Sequence, residues 1–98
     1  MSVPIASQPA PTAGLSDADL VERLKGGAPD AADELARRYG QPILRYLRRL
    51  VGDDHLAEEL HQQTWLSVLA HIERFDTGSS SGGFKAWLYR IADRKSVV

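Results

Sequence analysis

Residues 54–76 read DHLAEELHQQTWLSVLAHIERFD and follow the pattern of an amphipathic helix. At about 100° per residue, one broad arc collects the side chains that predict a core face. These are Ala57, Leu60, Trp65, Val68, Ile72 and Phe75. Asp53 and Asp54 are typical N-cap residues, so we expect the helix to begin there and to run to about Phe75.

The opposite arc of this helix is mostly polar and carries Glu59, Gln62, Gln63, Leu66, Ala70 and Glu73. Leu66 and Ala70 therefore lie among acids and amides on a surface that should face water. Two interpretations stay open. The arc is a plain solvated face, on which one exposed leucine is ordinary, or it is a docking surface with a small apolar anchor inside a polar rim.

Two helical segments are predicted upstream. A short first helix begins near Ser16 and ends at Gly26-Gly27, where glycine favours termination. A second segment spans residues 29–52 and contains Gly40-Gln41-Pro42. Because proline removes a backbone donor and clashes with the preceding turn, we expect a kink or a break before Ile43.

The remaining segments set the fold class. Residues 1–14 contain three prolines and no charge, which predicts a flexible tail. Residues 76–83 are turn formers and small polar residues, and a last helix is predicted from Phe84. No stretch alternates long enough to predict a strand, so we expect an all-α protein, a compact bundle of four to five helices.

The last helix combines aromatic and basic side chains. Its inward stripe is predicted to hold Phe84, Trp87, Leu88 and Ile91, and its outer side Lys85, Tyr89, Arg90, Arg94 and Lys95. Cations for phosphates and rings for unstacked bases are what a single-stranded nucleic-acid site needs. Core packing is the expected main role of Phe84 and Trp87, whereas the outer residues suit either DNA contact or plain solvation.

Charge is unevenly distributed along the 98 residues, although the net charge is only −1. That balance by itself argues against a basic nucleic-acid binder. Residues 52–76, however, carry six acidic side chains and one basic one, and residues 77–98 carry four basic and one acidic. The two segments suit partners of opposite sign, and solvated helix faces would produce the same pattern.

Several function classes are disfavoured. The chain has no cysteine, and its three histidines lack the spacing of a helical metal pair, so no metal site or cofactor is expected. Neither a nucleophile–base pair nor a phosphate-binding glycine motif is present, which argues against an enzyme. With no apolar run long enough to cross a membrane and no signal-peptide pattern, we expect a cytoplasmic protein with no membrane partner.

Two motifs carry a family resemblance. Residues 57–66 read AEELHQQTWL, and Arg74-Phe75-Asp76 is followed by FKAWLYRIA at residues 84–92. In this order and spacing they resemble region 2 of bacterial RNA polymerase sigma factors, most closely those of the extracytoplasmic-function group. With the upstream segments included, the resemblance covers residues 15–98.

The resemblance implies a role in transcription initiation without catalysis. The helix at 54–76 would dock on the clamp helices of the polymerase β′ subunit through Glu59, Gln62, Gln63, Leu66 and Ala70. The segment 76–98 would bind the non-template strand of the promoter −10 element, capture a flipped base and stabilise melted DNA. Its expected DNA-binding residues are Asp76, Thr77, Ser79, Ser80, Lys85, Tyr89, Arg90, Arg94 and Lys95. An anti-sigma factor is a further implied partner.

The sequence departs from the family pattern at two positions. Gln63 stands where the family usually has an acid, which removes one charged contact to the clamp. Arg94 stands where the family often has asparagine, which favours a phosphate contact over base reading. The sequence ends at Val98, inside the expected last helix. The alternative hypothesis is a helical protein-interaction module without a DNA role.

Overall fold

Four α-helices make up most of the computed structural model, which describes residues 12–76 and 82–96. Helix α1 spans Asp17–Lys25, α2 Pro29–Val51, α3 Asp54–His71 and α4 Gly83–Ser96. Short 3-10 turns lie at Thr12–Gly14 and Ile72–Arg74, and the described residues contain no strand. The predicted all-α class and the number of helices are confirmed. None of the described helices is long and apolar enough to span a membrane.

The helix starts follow the capping signals in the sequence. The Ser16 hydroxyl accepts a hydrogen bond from the backbone N–H of Asp19 at 3.1 Å, and the Asp53 carboxylate accepts one from Leu56 at 3.1 Å. Helix α2 ends at Gly52, whose φ of 68° lies in the left-handed region that glycine adopts readily. Helix α3 ends at His71, earlier than predicted, and a 3-10 turn carries the chain to Phe75.

Helix α2 runs without interruption through Pro42, so of the kink or break expected before Ile43 the break is wrong. The residues on both sides of the proline share one buried face, on which Leu35, Ile43 and Leu47 are almost completely inaccessible to solvent. Proline inside a helix costs about 3 kcal/mol, and burying several large apolar side chains offsets that cost. The carbonyl oxygen of Gly40, two residues before the proline, lies 2.9 Å from the Nε2 atom of His61.

The core lies where α2 packs against the other three helices. The predicted core face of α3 is confirmed, except that Trp65 is only half-buried. Thr64 is also fully buried there, a position that the apolar pattern did not reveal. Its hydroxyl donates to the Leu60 carbonyl at 2.7 Å, so it is accommodated without an unpaired polar group.

Arg38 joins the N-terminal 3-10 turn to α1 and α2. Its guanidinium donates to the carbonyl oxygens of Thr12, Ala13 and Leu15 at 3.1, 3.1 and 2.6 Å. It also pairs with Asp17 at 2.9 Å. Thr12–Gly14 therefore form a 3-10 turn held against α2, whereas structure was expected to begin only near Ser16. Residues 1–11 lie outside the described part of the chain.

Glu34 completes this cluster from within α2. The Glu34 residue is only 4% exposed. Its carboxylate accepts hydrogen bonds from Arg37 at 2.6 Å and from Arg38 at 2.9 Å. Asp17 also accepts a hydrogen bond from the Tyr39 hydroxyl. Burial, together with this bond to a carboxylate, raises the pKa of Tyr39 to about 12. We call Asp17, Glu34, Arg38 and Tyr39 the Arg38 cluster.

Candidate protein and nucleic-acid interfaces

The residues predicted for docking lie together on one exposed side of α3. We call Glu59, Gln62, Gln63, Leu66 and Ala70 the α3 outer face, and all five are exposed. Leu66 is 58% exposed, a large fraction for a leucine at the centre of a helix. Within the described residues, the polar side chains of this face make no hydrogen bond or ion pair. Their polar groups are therefore available to a partner.

The apolar part of this surface is larger than the sequence indicated. Leu69, which is 49% exposed, lies beside the outer face and was not predicted. It borders a mainly apolar groove of about 190 Å³ between α1, α2 and α3, whose lining includes Leu24, Ala36 and Trp65. Leu69 falls between the two arcs of the helical wheel, so periodicity alone assigns it to neither.

A second concave surface lies between the end of α3 and α4. This α3–α4 groove has a volume of about 390 Å³ and is lined by Ser67, His71, Arg74, Trp87, Ile91, Arg94 and Lys95. Three of these side chains are cationic, and none of the three forms an ion pair within the described part of the chain. The groove therefore combines an aromatic ring with positive charge that no described internal carboxylate neutralises.

The Trp87 ring is supported from the core side by other aromatic side chains. The centroids of Phe75 and Trp87 lie 4.8 Å apart with a tilt of 33°, and those of Phe84 and Trp87 lie 6.0 Å apart. Phe75 and Phe84 are buried, whereas Trp87 is half-buried. Trp87 thus contributes to both the core and the groove, although its expected main role was core packing.

The DNA-binding residues predicted from the sequence do not all come together. Arg94 and Lys95 line the α3–α4 groove, whereas Lys85 and Arg90 are exposed outside its lining. Asp76 is exposed at the end of the segment that follows α3. Thr77, Ser79 and Ser80 lie outside the described residues.

Tyr89 belongs to a different side of α4. Its ring packs edge-on against that of Tyr46 in α2, with centroids 5.0 Å apart. The Tyr46 hydroxyl donates to Asp93, and this hydrogen bond is the main cause that raises the pKa of Tyr46. Tyr89 is therefore half-buried in an interhelical contact and lies apart from Arg94.

Sequence reasoning missed several residues of the groove. Ser67, His71 and Arg74 were not among the predicted site residues, although Arg74 belongs to a motif of the family resemblance, because the groove forms between segments that one helical wheel cannot combine. One signal was present in the charge pattern: Arg74 is the one basic residue of segment 52–76. A single cation within so acidic a segment indicates a role in the α3–α4 groove.

Glycines fix the start of α4 beside this site. Gly82 and Gly83 have φ values of 80° and 67°, which side-chain-bearing residues rarely adopt. A Cβ atom added to Gly82 would lie 2.6 Å from the Cβ of Ala86. Glycine at position 82 therefore allows the backbone to pass close to Ala86, in the first turn of α4.

The described residues contain no cluster of three or more histidine and acidic side chains that could hold a metal ion. The chemistry that the two surfaces offer is recognition: hydrogen bonding and apolar contact at the α3 outer face, and charge with ring stacking at the groove. In the groove, the Nδ1 atom of His71 lies 2.9 Å from the backbone carbonyl oxygen of Ser67, so within the described residues this histidine is not paired with the Ser67 hydroxyl.

Comparisons with known proteins place these surfaces in context. Residues 35–97 match the family model described as sigma-70 region 2. The chain is 38% identical over 72 residues to the RNA polymerase sigma factor CarQ of Myxococcus xanthus, an alignment covering 74% of this chain and 40% of CarQ. It is 29% identical to the ECF RNA polymerase sigma factor SigW of Bacillus subtilis, over 79% of this chain and 40% of SigW.

A third relative is the ECF RNA polymerase sigma factor BldN of Streptomyces coelicolor. It is 36% identical over 74 residues, which cover 76% of this chain and 27% of BldN. The alignments therefore span between about a quarter and two fifths of the length of these three relatives.

Proposed function

Because this chain belongs to the sigma-70 region 2 family, we propose that it attaches to core RNA polymerase and holds the melted −10 element of a promoter. Its resemblance to the extracytoplasmic-function group is confirmed by relatives that bear that description. The observation that carries the proposal is the presence, on the two sides of one helix, of a partner-free polar face and a cationic groove.

The α3 outer face is the proposed polymerase-binding surface, and the coiled-coil clamp helices of the β′ subunit are its proposed partner. Leu66 supplies an apolar anchor, and Glu59, Gln62 and Gln63 supply hydrogen-bonding groups around it. A small apolar centre within a polar rim is the usual composition of a protein interface. Gln63 in place of the usual acid leaves Glu59 as the charged group of this set.

The α3–α4 groove is the proposed binding surface for the non-template strand. Trp87 offers a ring for stacking, and Arg74, Arg94 and Lys95 offer positive charge for phosphates. Arg94 suits phosphate contact better than base reading, since its guanidinium forms strong charge-assisted bonds with phosphate oxygens.

The other predicted DNA-binding residues remain part of the proposal. Lys85, Tyr89 and Arg90 would contact the strand or the adjoining duplex along α4, and Asp76, Thr77, Ser79 and Ser80 would contact it from the segment before α4. An anti-sigma factor remains a proposed regulatory partner, and the cytoplasm the proposed place of action.

Melting of this kind is binding and requires no catalytic group. Unstacking and flipping one base costs a few kcal/mol, and stacking on an aromatic ring returns about 1–3 kcal/mol per base. Phosphate contacts in the groove supply the rest. Because the chain has a net charge of −1, its affinity for DNA should be low without the polymerase.

The docking proposal is tested by measuring affinity for the isolated β′ clamp helices. We expect Glu59→Lys and Leu66→Asp each to weaken binding by about tenfold or more while far-UV circular dichroism stays unchanged. Glu58→Lys is the matched control, because it makes the same charge change one residue away, outside the outer face. Wild-type protein that fails to bind the clamp helices at micromolar concentration would contradict the docking assignment.

The DNA proposal is tested by crosslinking a non-template −10 oligonucleotide in the presence of core polymerase. Photocrosslinkers at positions 74 and 94 should capture the strand, and one at position 23, on the exposed end of α1, serves as the control. If the domain binds polymerase but positions 74–95 give no crosslink, the alternative of a protein-interaction module without a DNA role is favoured.

A further inference from the structure

A lysine outside both candidate interfaces makes a contact that neither of them accounts for. The Lys25 ammonium, in the last turn of α1, donates to the carbonyl oxygen of Phe75 at 2.6 Å. The two residues are separated by 50 positions in the sequence. The Lys25 side chain is only 21% exposed, and Glu22 lies 3.6 Å from the ammonium. The Lys25 side chain is thus mostly buried, and its ammonium has two partners.

The carbonyl that Lys25 binds belongs to a backbone position outside helical structure. Phe75 follows the 3-10 turn and has an extended conformation, with φ −72° and ψ 126°. The Phe75 N–H donates to the Ile72 carbonyl oxygen at 3.1 Å, whereas the Phe75 carbonyl oxygen is bound by Lys25. A charged donor to that oxygen fixes the backbone strongly.

The position of Phe75 bears directly on the groove. Its ring lies against Trp87, with centroids 4.8 Å apart, and Trp87 lines the α3–α4 groove. A shift of the Phe75 backbone would therefore remove or tilt the surface against which the Trp87 ring packs. Arg23, in the same last turn of α1, is exposed and makes no side-chain contact of this kind within the described residues.

We propose that Lys25 is a positioning residue for nucleic-acid binding: by holding Phe75, it keeps the Trp87 ring at the orientation that stacks on a base. The proposal rests on the strand-binding function proposed above for the groove. Lys25 itself does not line the groove, so its effect on DNA acts through Phe75 and Trp87.

The test uses the full chain with Trp65→Phe in every sample, so that Trp87 is the remaining tryptophan. Acrylamide quenching of Trp87 fluorescence is measured first, without DNA. We expect Lys25→Met to raise the quenching constant by about twofold, because a ring that loses its support is more accessible. Lys25→Arg, which keeps a charged donor, should restore the wild-type value.

Arg23→Met is the matched control, since it removes one positive charge and leaves a side chain of the same type on the same helical turn. Lys25→Gln, whose amide is too short to reach Phe75, is a second variant in case methionine impairs folding. If Lys25→Met and Lys25→Gln both give the same quenching constant as Arg23→Met, the positioning role is overturned.

The second measurement is affinity for a single-stranded −10 oligonucleotide with core polymerase present. We expect Lys25→Met to weaken binding by about fivefold, and Arg23→Met and Lys25→Arg to leave it near the wild-type value. Equal affinities for Lys25→Met and Arg23→Met would overturn the proposed effect on DNA. If the parent protein binds polymerase but no oligonucleotide, the proposed function fails, and the quenching experiment still decides whether Lys25 positions Trp87.

Discussion

The Arg38 cluster and the α3–α4 groove both contain arginine, but the two regions use its charge differently. Arg38 donates to two carboxylates and to carbonyl oxygens of the N-terminal turn, so its donors are engaged within the protein. Arg74 and Arg94 line a groove and pair with no carboxylate in the described residues. Charge that the fold itself neutralises contributes to stability, whereas charge left unpaired is available to an external anion.

Removing Arg38 should produce the largest loss of stability. Arg38→Met leaves the buried carboxylate of Glu34 with only Arg37 and deprives Asp17 of its cation. We expect the free energy of unfolding to fall by about 2–4 kcal/mol, because a buried carboxylate without its full set of partners is costly. Urea denaturation measures this. A loss below about 0.5 kcal/mol would show that the cluster is not structurally important.

Neutralising the arginines of the groove should leave stability unchanged and weaken DNA binding. For Arg74→Gln combined with Arg94→Gln, we expect the free energy of unfolding to stay within about 0.5 kcal/mol of wild type. Affinity for single-stranded −10 DNA in the presence of polymerase should fall by at least about tenfold, with a shallower dependence on salt. The double variant Arg45→Gln and Arg49→Gln on α2 is the control for net charge. Equal losses in the two double variants would contradict a specific groove.

Alkaline pH should weaken the Arg38 cluster through Tyr39. The pKa of Tyr39 is raised to about 12 in the folded protein, above its usual value of 10.0. The stability contributed by the protonated Tyr39 hydroxyl is therefore fully present below about pH 10 and is lost as the pH rises through about 12. Urea denaturation across this pH range should show the free energy of unfolding falling. Tyr39→Phe should reduce the slope of that free energy against pH. An unchanged slope in Tyr39→Phe would assign the pH dependence to other groups.

The smallest effect is expected at Arg37. This residue also binds Glu34, at 2.6 Å, but its side chain is 69% exposed. We expect Arg37→Ala to cost less than about 1 kcal/mol, since solvent screens an exposed charge and holding a long side chain costs entropy. Urea denaturation of Arg37→Ala and Arg38→Met under the same conditions compares their losses in free energy of unfolding. A loss equal to that of Arg38→Met would mean that burial does not distinguish the two arginines.

Periodicity and capping predicted much of the fold. Ser16, Asp53 and Gly52 mark helix ends as their chemistry suggests, and the core face of α3 follows from its apolar spacing. Pro42 misled the local interpretation because the cost of a proline is local, whereas the buried stripe on both sides of it spans the whole helix. The N-terminal turn was missed for a similar reason, since its order depends on Arg38, more than twenty residues away.

The candidate sites were predictable only where they lie on one helix. The α3 outer face consists of residues on successive turns, so a wheel places them on one side of the helix, and all five are exposed in the structure. The α3–α4 groove combines Arg74 with Trp87 and Arg94, and only tertiary packing brings those positions together. For the same reason, a wheel of α4 could not show that Tyr89 turns toward Tyr46 and away from Arg94.

The shared carboxylate of Glu34 also constrains how this sequence can diverge. One substitution at Glu34 would leave Arg37 without its carboxylate and Arg38 with Asp17 as its one remaining acid, and one at Arg38 would leave Glu34 and Asp17 only partly satisfied. Positions 17, 34 and 38 should therefore change together among descendants of this sequence, as coupled residues do. Arg74 and Arg94 have no such internal partner among the described residues, so their replacement should follow changes in what the groove binds.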